Sequence, residues 1–435
     1  MTFFPPEFLN LIEPALPFLK EAWKIFKIWW WIFPPFLLWP FLKYIYHYWR
    51  KQLWDARIKK IVLEIKIPER VIKSIKAMEY AIAGFHAIHD VIAWREKWIE
   101  GQFQLPFSLE IVSLEGEPHF YIRVPEMFRK IIESNIYSQY PEAEISEVED
   151  YTTKVPQDIP NKDWDLWGTD FENTKPDPYP LKTYLKFERE AEILEERMVD
   201  PLAGLLEGMA TLGPGEQLWL QIFCKPIRDE KPWVKKGLEI RDKLAKRVTK
   251  KPVPKPMITE AIEVIVSGPP KPPLEEKELL FPPEMRLTPG EKDIVQAIEE
   301  KISKFGYDCC IRFIYLAKRD AFFKPRARLP FGFFKAVSSE NLGGLKPEKT
   351  RMTKMKSIPF WFLDKRRVYL KKRKLFRNYY YRFTPLFPRL GGTYVLNSEE
   401  LATLFHFPGR IVAPAPTVPR IGVKKGEAPP GLPVE

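Results

Sequence analysis

The residues best suited by type and spacing to do chemistry lie in 365–382, KRRVYLKKRKLFRNYYYR. Nine Lys/Arg are interleaved there with Tyr369, Phe376, Tyr379, Tyr380 and Tyr381. Cations in such a run neutralise phosphates, and exposed rings stack on bases. The same composition suits anionic lipid headgroups or an acidic protein partner. The binding residues it nominates are Lys365, Arg366, Arg367, Lys371, Lys372, Arg373, Lys374, Arg377, Tyr379, Tyr380, Tyr381 and Arg382. Lys371 to Lys374 are consecutive, so neither a helix nor a strand can turn all four toward one apolar surface. The charge of the whole chain concentrates here. Residues 321–390 hold 19 Lys/Arg against 3 acidic residues, within a chain of net charge +12.

Other candidates carry less. His86 and His89 have a helical i, i+3 spacing that suits a shared metal, but no Cys or further His lies near them in sequence. Gly343 with Lys349-Thr350 resembles a phosphate loop only in part, because Glu348 stands where the pattern needs Gly. No G-x-S-x-G, H-E-x-x-H or C-x-x-C occurs. Cys224, Cys309 and Cys310 sit in apolar strand-like runs and read as buried reduced thiols, consistent with a reducing compartment. The expectation is a protein with no catalytic residue, metal or cofactor.

A chain of 435 residues implies two or three domains. Residues 28–42, IWWWIFPPFLLWPFL, are uncharged and bracketed by Lys27 and Lys43. Trp29, Trp30, Trp31, Phe36, Leu37, Leu38 and Trp39 nominate a membrane anchor, read as spanning rather than as an interfacial hairpin or a buried core segment. Six Lys/Arg in 43–60 against three in 1–27 then place the bulk of the chain in the cytoplasm, beneath a single pass of the inner membrane.

Behind the anchor the expected class is α+β. Residues 60–150 show a β-α-β-β-α-β order, with strands at 61–67, 107–113, 119–124 and 142–148, the pattern of a ferredoxin-like unit. A linker, 151–180, precedes a second, stretched copy at 181–336. That copy opens on an alternating strand at 181–187 and carries a proline-rich insertion at 249–285. Asp200 is placed to cap a helix, and Thr288-Pro289-Gly290-Glu291 is a capping box. Residues 337–407 hold the basic segment and a terminal strand–helix. Seven prolines in 408–435 predict a disordered tail.

Three stretches carry a resemblance: DPLAGLLEGMATLGPGEQLWLQIFCKP (200–226), EKDIVQAIEEKISKFGYDCCIRFIYLAKRDAF (291–322) and GTYVLNSEELATLFHFP (392–408). Together they resemble an uncharacterised bacterial domain that stands in front of the ATPase domain in type IV secretion, conjugation-type proteins. The resemblance implies an α+β, non-hydrolysing docking domain. It transfers no site residue, and the chain reaches its proline-rich tail about where the ATPase domain would begin. The implied role is a membrane-anchored docking subunit for a P-loop ATPase acting in trans, with DNA as a further partner and a homo-oligomer left open. The alternative is a membrane-tethered nucleic-acid-binding protein that uses 365–382.

Overall fold

A computed structural model describes residues 16–30, 33–68, 73–193, 200–227, 232–245, 287–354, 361–383 and 393–408. The chain divides into two compact units, 1–59 with 90–104, and 60–89 with 105–435.

The smaller unit is helical. Helix α1 spans Leu16–Trp29 and α2 spans Phe33–Asp55. A π-helical turn, Glu96–Glu100, lies against α2, with Trp98 packed on His47 (ring centroids 4.6 Å apart) and Lys43 over the Trp98 ring. Gly101, at φ +82°, follows it. A Cβ there would lie 2.4 Å from the Arg50 carbonyl oxygen, so both the turn and the close approach require glycine.

This unit corrects the anchor. Among the described residues, no helix is long and apolar enough to cross a membrane. The uncharged run is divided, since α1 ends at Trp29 and α2 begins at Phe33. The second half of α2 also carries Lys43, His47, Arg50, Lys51 and Asp55, so the apolar stretch falls well short of the ~20 residues a crossing needs. The single-pass inner-membrane placement, and the orientation derived from it, go with the span. Trp29, Trp30, Leu38 and Trp39 are exposed. Trp31 lies outside the described residues, as do the side chains of Phe36 and Leu37.

The larger unit is built on one sheet. Its strands are β1 (Lys60–Lys66), β2 (Phe107–Leu114), β3 (Glu117–Pro125), β4 (Glu144–Val148), β5 (Trp164–Asn173), β6 (Glu216–Pro226), β7 (Gly306–Lys318), β8 (Leu345–Pro347) and β9 (Tyr394–Asn397). They pair antiparallel in the order β4-β1-β3-β2-β6-β7-β5-β8, with β9 added to β7. The helices are α3 (Ile75–Phe85), α4 (Arg129–Gln139), α5 (Tyr184–Ile193), α6 (Ala203–Ala210), α7 (Pro232–Leu244), α8 (Pro289–Ser303), α9 (Leu329–Ala336), α10 (Asp364–Tyr380) and α11 (Ser398–Leu404).

Period-two alternation gives the sheet two different faces. Leu63, Leu109, Ile122, Leu220, Ile311 and Phe313 point to one, where Met78 and Phe85 of α3, Ile132 of α4, Leu206 of α6, Phe334 of α9 and Leu401 of α11 pack on them. Each such fully buried side chain contributes ~1.5–3 kcal/mol. Val62, Val112, Trp219, Ile314 and Leu316 point to the other face. That side is covered by Tyr151 and by Leu375, Phe376 and Tyr379 of α10.

The expected order of elements in 60–150 does form, with β4-β1-β3-β2 paired antiparallel, but two separate ferredoxin-like units do not. Strand β2 is not the edge of a first unit, because it pairs with β6 from Phe107↔Cys224 to Leu114↔Gln217 and merges the halves into one sheet. The strand expected at 181–187 is absent, and α5 begins at Tyr184. The strand that pairs with β7 is instead β5, within the segment read as a linker. Its sequence, WDLWGTDFEN, hides the signal because buried Thr169 and Asp170 stand where alternation would place apolar residues. Local cap chemistry was sounder. Thr288 accepts from the Glu291 N–H and Glu291 from the Thr288 N–H; Asp200 accepts from the Leu202 N–H at 2.7 Å in the turn before α6, whose N-cap is Leu202 and not the expected Asp200. The proline-rich insertion 249–285 and residues 409–435 of the tail lie outside the described residues.

Asp200 also pairs with buried His406, whose Nε2 donates to it at 2.9 Å while Nδ1 donates to the Ala402 carbonyl. Burial opposes a charged imidazole, but the Asp200 carboxylate outweighs it and raises the His406 pKa. Burial likewise raises Asp200, and His406 outweighs it, leaving the carboxyl below its usual range. The histidine's contribution is complete below its unfolded pKa of ~6.5 and is lost as pH rises through the higher folded value. That of the aspartate is complete above ~3.9 and is lost as pH falls through its lower folded value. Denaturant titrations should therefore show a stability decline on the alkaline side of pH ~6.5. Asp200→Asn should lose ~3–5 kcal/mol at pH 6 and abolish that decline.

Candidate functional site

Five polar residues interrupt the apolar strands of the larger unit, each in mid-strand: Glu64, Glu110, Gln221, Arg312 and Asp170. The register aligns them, with Tyr121, in one row across six strands. Glu64 faces Tyr121, Tyr121 faces Glu110, Glu110 faces Gln221, Gln221 faces Arg312, and Arg312 faces Asp170. All six are buried. Burying a charge is costly unless it is paired and hydrogen-bonded, so the row dictates what must cover it.

Helix α10 and its C-terminal turn supply the cover. Arg382 donates from Nε and Nη2 to both oxygens of Glu110, each at 3.1 Å, and from Nη1 to Asp150 at 2.6 Å. Ser108, Gln221 and Tyr151 also donate to Glu110. Burial alone would raise the Glu110 carboxyl, yet the Arg382 guanidinium and these donors hold it down to about 2. Arg312 donates to the Asn378 carbonyl at 2.5 Å and to the Phe383 carbonyl at 2.6 Å, so it satisfies acceptors at the end of α10. Its Nε lies 3.3 Å from Asp170, which Arg351 also approaches. Tyr379 and Tyr151 share a hydrogen bond of 2.7 Å between their hydroxyls.

The nominated basic stretch is thus split by helical periodicity. Lys365, Arg366, Arg373, Lys374, Arg377 and Tyr381 are exposed, and Tyr369 and Leu370 lie among them. Arg367, Lys371, Lys372 and Tyr380 are half-buried. Tyr379 and Arg382 are buried and hold the helix down, so neither is available to a ligand. Lys372 is paired with Asp165 at 2.6 Å, and burial lowers the pKa of Lys371. Among the described residues, no carboxylate pairs with Arg373, Lys374 or Arg377. Arg373 instead lies over the Tyr369 ring and donates to its hydroxyl at 3.2 Å.

Three concavities run along the outer side of α10. One, of about 620 Å³, is lined by Gln157, Leu370, Arg373, Lys374, Phe376, Arg377, Tyr380 and Tyr381. A second lies where Asp158, Lys162 and Arg319 meet Tyr369 and Arg373, and a third where Asp165 and Asp364 meet Lys365 and Lys372.

The remaining candidates resolve into structure. The His86 and His89 rings stack on each other, and His86 Nε2 lies 2.9 Å from the Ile227 carbonyl. No cluster of three metal-ligating side chains occurs among the described residues. Glu348 accepts from the Thr350 hydroxyl, and the Gly343 N–H donates to the Pro180 carbonyl, so this segment is tied into the fold. Cys224 and Cys309 face each other across β6 and β7 with their Sγ atoms 3.8 Å apart, both buried and free. No protein-family model matches the chain, and no curated protein matches it either.

The buried row escaped the sequence reading although its signal was present, as one charged or amide residue in mid-strand in IVLEIKI, FSLEIVS and WLQIF. Because Glu110 titrates near 2 when folded and near 4.5 when unfolded, its stabilisation of ~3 kcal/mol is present above pH ~4.5 and lost as pH falls through ~2. Replacing it by Gln should cost ~3–5 kcal/mol at neutral pH. Hydrogen exchange should then show α10 losing protection before α3 or α4.

Proposed function

We propose that the protein is a non-catalytic nucleic-acid-binding protein that grips phosphates with the outer face of α10. The observation that supports this is the division of labour within one helix. Arg382 and Tyr379 fix it to the sheet, while Arg373, Lys374 and Arg377 project outward with no carboxylate partner among the described residues. Arg366 and Lys365 extend the same exposed face, and the eleven steps from Arg366 to Arg377 span ~17 Å at ~1.5 Å each. Cations held in place lose little conformational entropy when phosphates arrive.

A second reading, a docking subunit for a P-loop ATPase supplied in trans, draws on the three stretches that resemble conjugation-type proteins. They are far apart in sequence, yet they fold into adjoining elements, α6–β6, α8–β7 and β9–α11, with β7 pairing to both β6 and β9.

Binding to an oligonucleotide should weaken as salt rises, with a log–log slope that flattens by ~0.7–0.9 for each phosphate contact removed. The triple variant Arg373→Ala/Lys374→Ala/Arg377→Ala should flatten it by ~2–3, equally across base sequences. Absence of wild-type binding at low salt would reject the nucleic-acid reading. Recovery of an ATPase by wild type and triple variant alike would then support docking through another surface.

A further inference from the structure

We infer that the ligand is single-stranded, and that an unstacked base enters the concavity at the C-terminal half of α10; the inference rests on the nucleic-acid reading above. Three observations converge on that place.

The first is charge. Of the three concavities along the helix, the one beside Tyr381 is lined by three cations and no carboxylate. Its neighbours include Asp158 in one case, and Asp165 and Asp364 in the other. All three hold more cations than carboxylates, but Asp158 in one neighbour, and Asp165 and Asp364 in the other, offset part of the attraction for a phosphate, and nothing does so in this one.

The second is the aromatic lining. Leu370, Phe376, Tyr380 and Tyr381 supply the walls. Tyr381 is half-exposed and stacked on Phe383, with centroids 5.2 Å apart and planes 19° from parallel. Tyr380 meets it edge-on at 4.9 Å. The ring of Tyr381 is thus backed on one side and buttressed on another. Such a ring offers a stacking platform that needs little ordering when a base arrives.

The third is shape. A volume of about 620 Å³ is large enough to admit a base, as are the roughly 520 and 540 Å³ of its neighbours, so size permits the fit and access decides the ligand. A duplex presents phosphates outward and keeps its base faces stacked inside, so it can reach the arginines but cannot lay a base on Tyr381. A single strand can do both at once, with its phosphates on Arg373 and Arg377 and its base between the aromatic walls. Tyrosine and arginine read no base edge here, so little sequence preference is expected.

The test is fluorescence anisotropy on the full chain with short oligothymidylate, oligouridylate and a duplex of equal length. Wild type should bind both single strands more tightly than the duplex. Tyr381→Ala should weaken single-strand binding by about tenfold and leave duplex binding within about twofold, as expected for loss of one stacked base. Tyr381→Phe keeps the ring and should restore single-strand affinity. Equal loss on both ligand types, no loss on either, or tighter duplex binding would overturn the single-strand inference while the nucleic-acid reading stands. No binding of any oligonucleotide by wild type would overturn both. Failure of Tyr381→Phe to restore affinity would assign the loss to the hydroxyl rather than to stacking, and would overturn the stacked-base geometry.

Discussion

A carboxylate at the centre of a nine-stranded sheet is the constraint from which the larger unit follows. Glu110 is fully buried on β2, between β3 and β6, with Tyr121 and Gln221 facing it. Left unpaired, such a group would be neutral or would exclude this packing. Five hydrogen bonds from Ser108, Tyr151, Gln221 and both Arg382 nitrogens keep it charged. Because Arg382 lies just beyond α10 in the chain, satisfying Glu110 also seats the helix. The φ of +53° at Arg382 places this residue in the left-handed region that commonly ends a helix, and it swings the guanidinium back under α10. Asp150 receives the same guanidinium, so the chain that follows β4 is tied into the cluster as well.

The consequence is a helix whose cations fall into two populations. Arg382 serves the buried row, and Lys372 serves Asp165 at the flank. Those turned outward are left with solvent. Helical periodicity alone brings this about: Leu375, Phe376 and Tyr379 mark the packed side, and Arg366, Arg373 and Arg377 the opposite one. A stretch that in sequence looks like a uniform basic tract is therefore a structural strut along one edge and a charged surface along the other. At the C-terminal end of α10, where the helix dipole leaves partial negative charge, Arg312 of β7 and Arg382 donate to the Asn378 and Tyr380 carbonyls.

What could be read from the residues alone divides along the same physical lines. Alternation located β1, β2, β3, β6 and β7, because each has an apolar face with regular period, and the capping box at Thr288 follows from local chemistry. Long-range pairing could not be read. Whether β2 is an edge depends on β6, some hundred residues later, and β5 was hidden because Asp170 is tolerable in a strand only with Arg312 opposite. The aromatic N-terminal run misled because composition suggested a span, while among the described residues α1 ends at Trp29 and the charges of α2 after Leu42 deny the run the length. Within the candidate site, residue type marked 365–382 as a cationic, aromatic stretch, but it neither placed the stretch on a helix nor set buried Arg382 apart from the exposed arginines. It could not separate Tyr379 from Tyr381, two positions apart, which helical geometry sends to opposite fates.

That separation also bears on where a function particular to this chain resides. The stretches 200–226, 291–322 and 392–408 build α6–β6, α8–β7 and β9–α11, the middle of the sheet and the elements packed on it. Their buried residues, such as Leu206, Leu220, Ile311 and Leu401, are accounted for by the core they form. Residues used in this way speak for the fold of this chain and are silent about a ligand. Helix α10 lies outside all three stretches and on the opposite face of the sheet, joined to the scaffold through Glu110, Gln221 and Arg312. Those three residues are spent on attachment. The side of α10 turned away from them is the part of this helix that neither folding nor packing explains, and Arg373, Lys374, Arg377 and Tyr381 are what it presents.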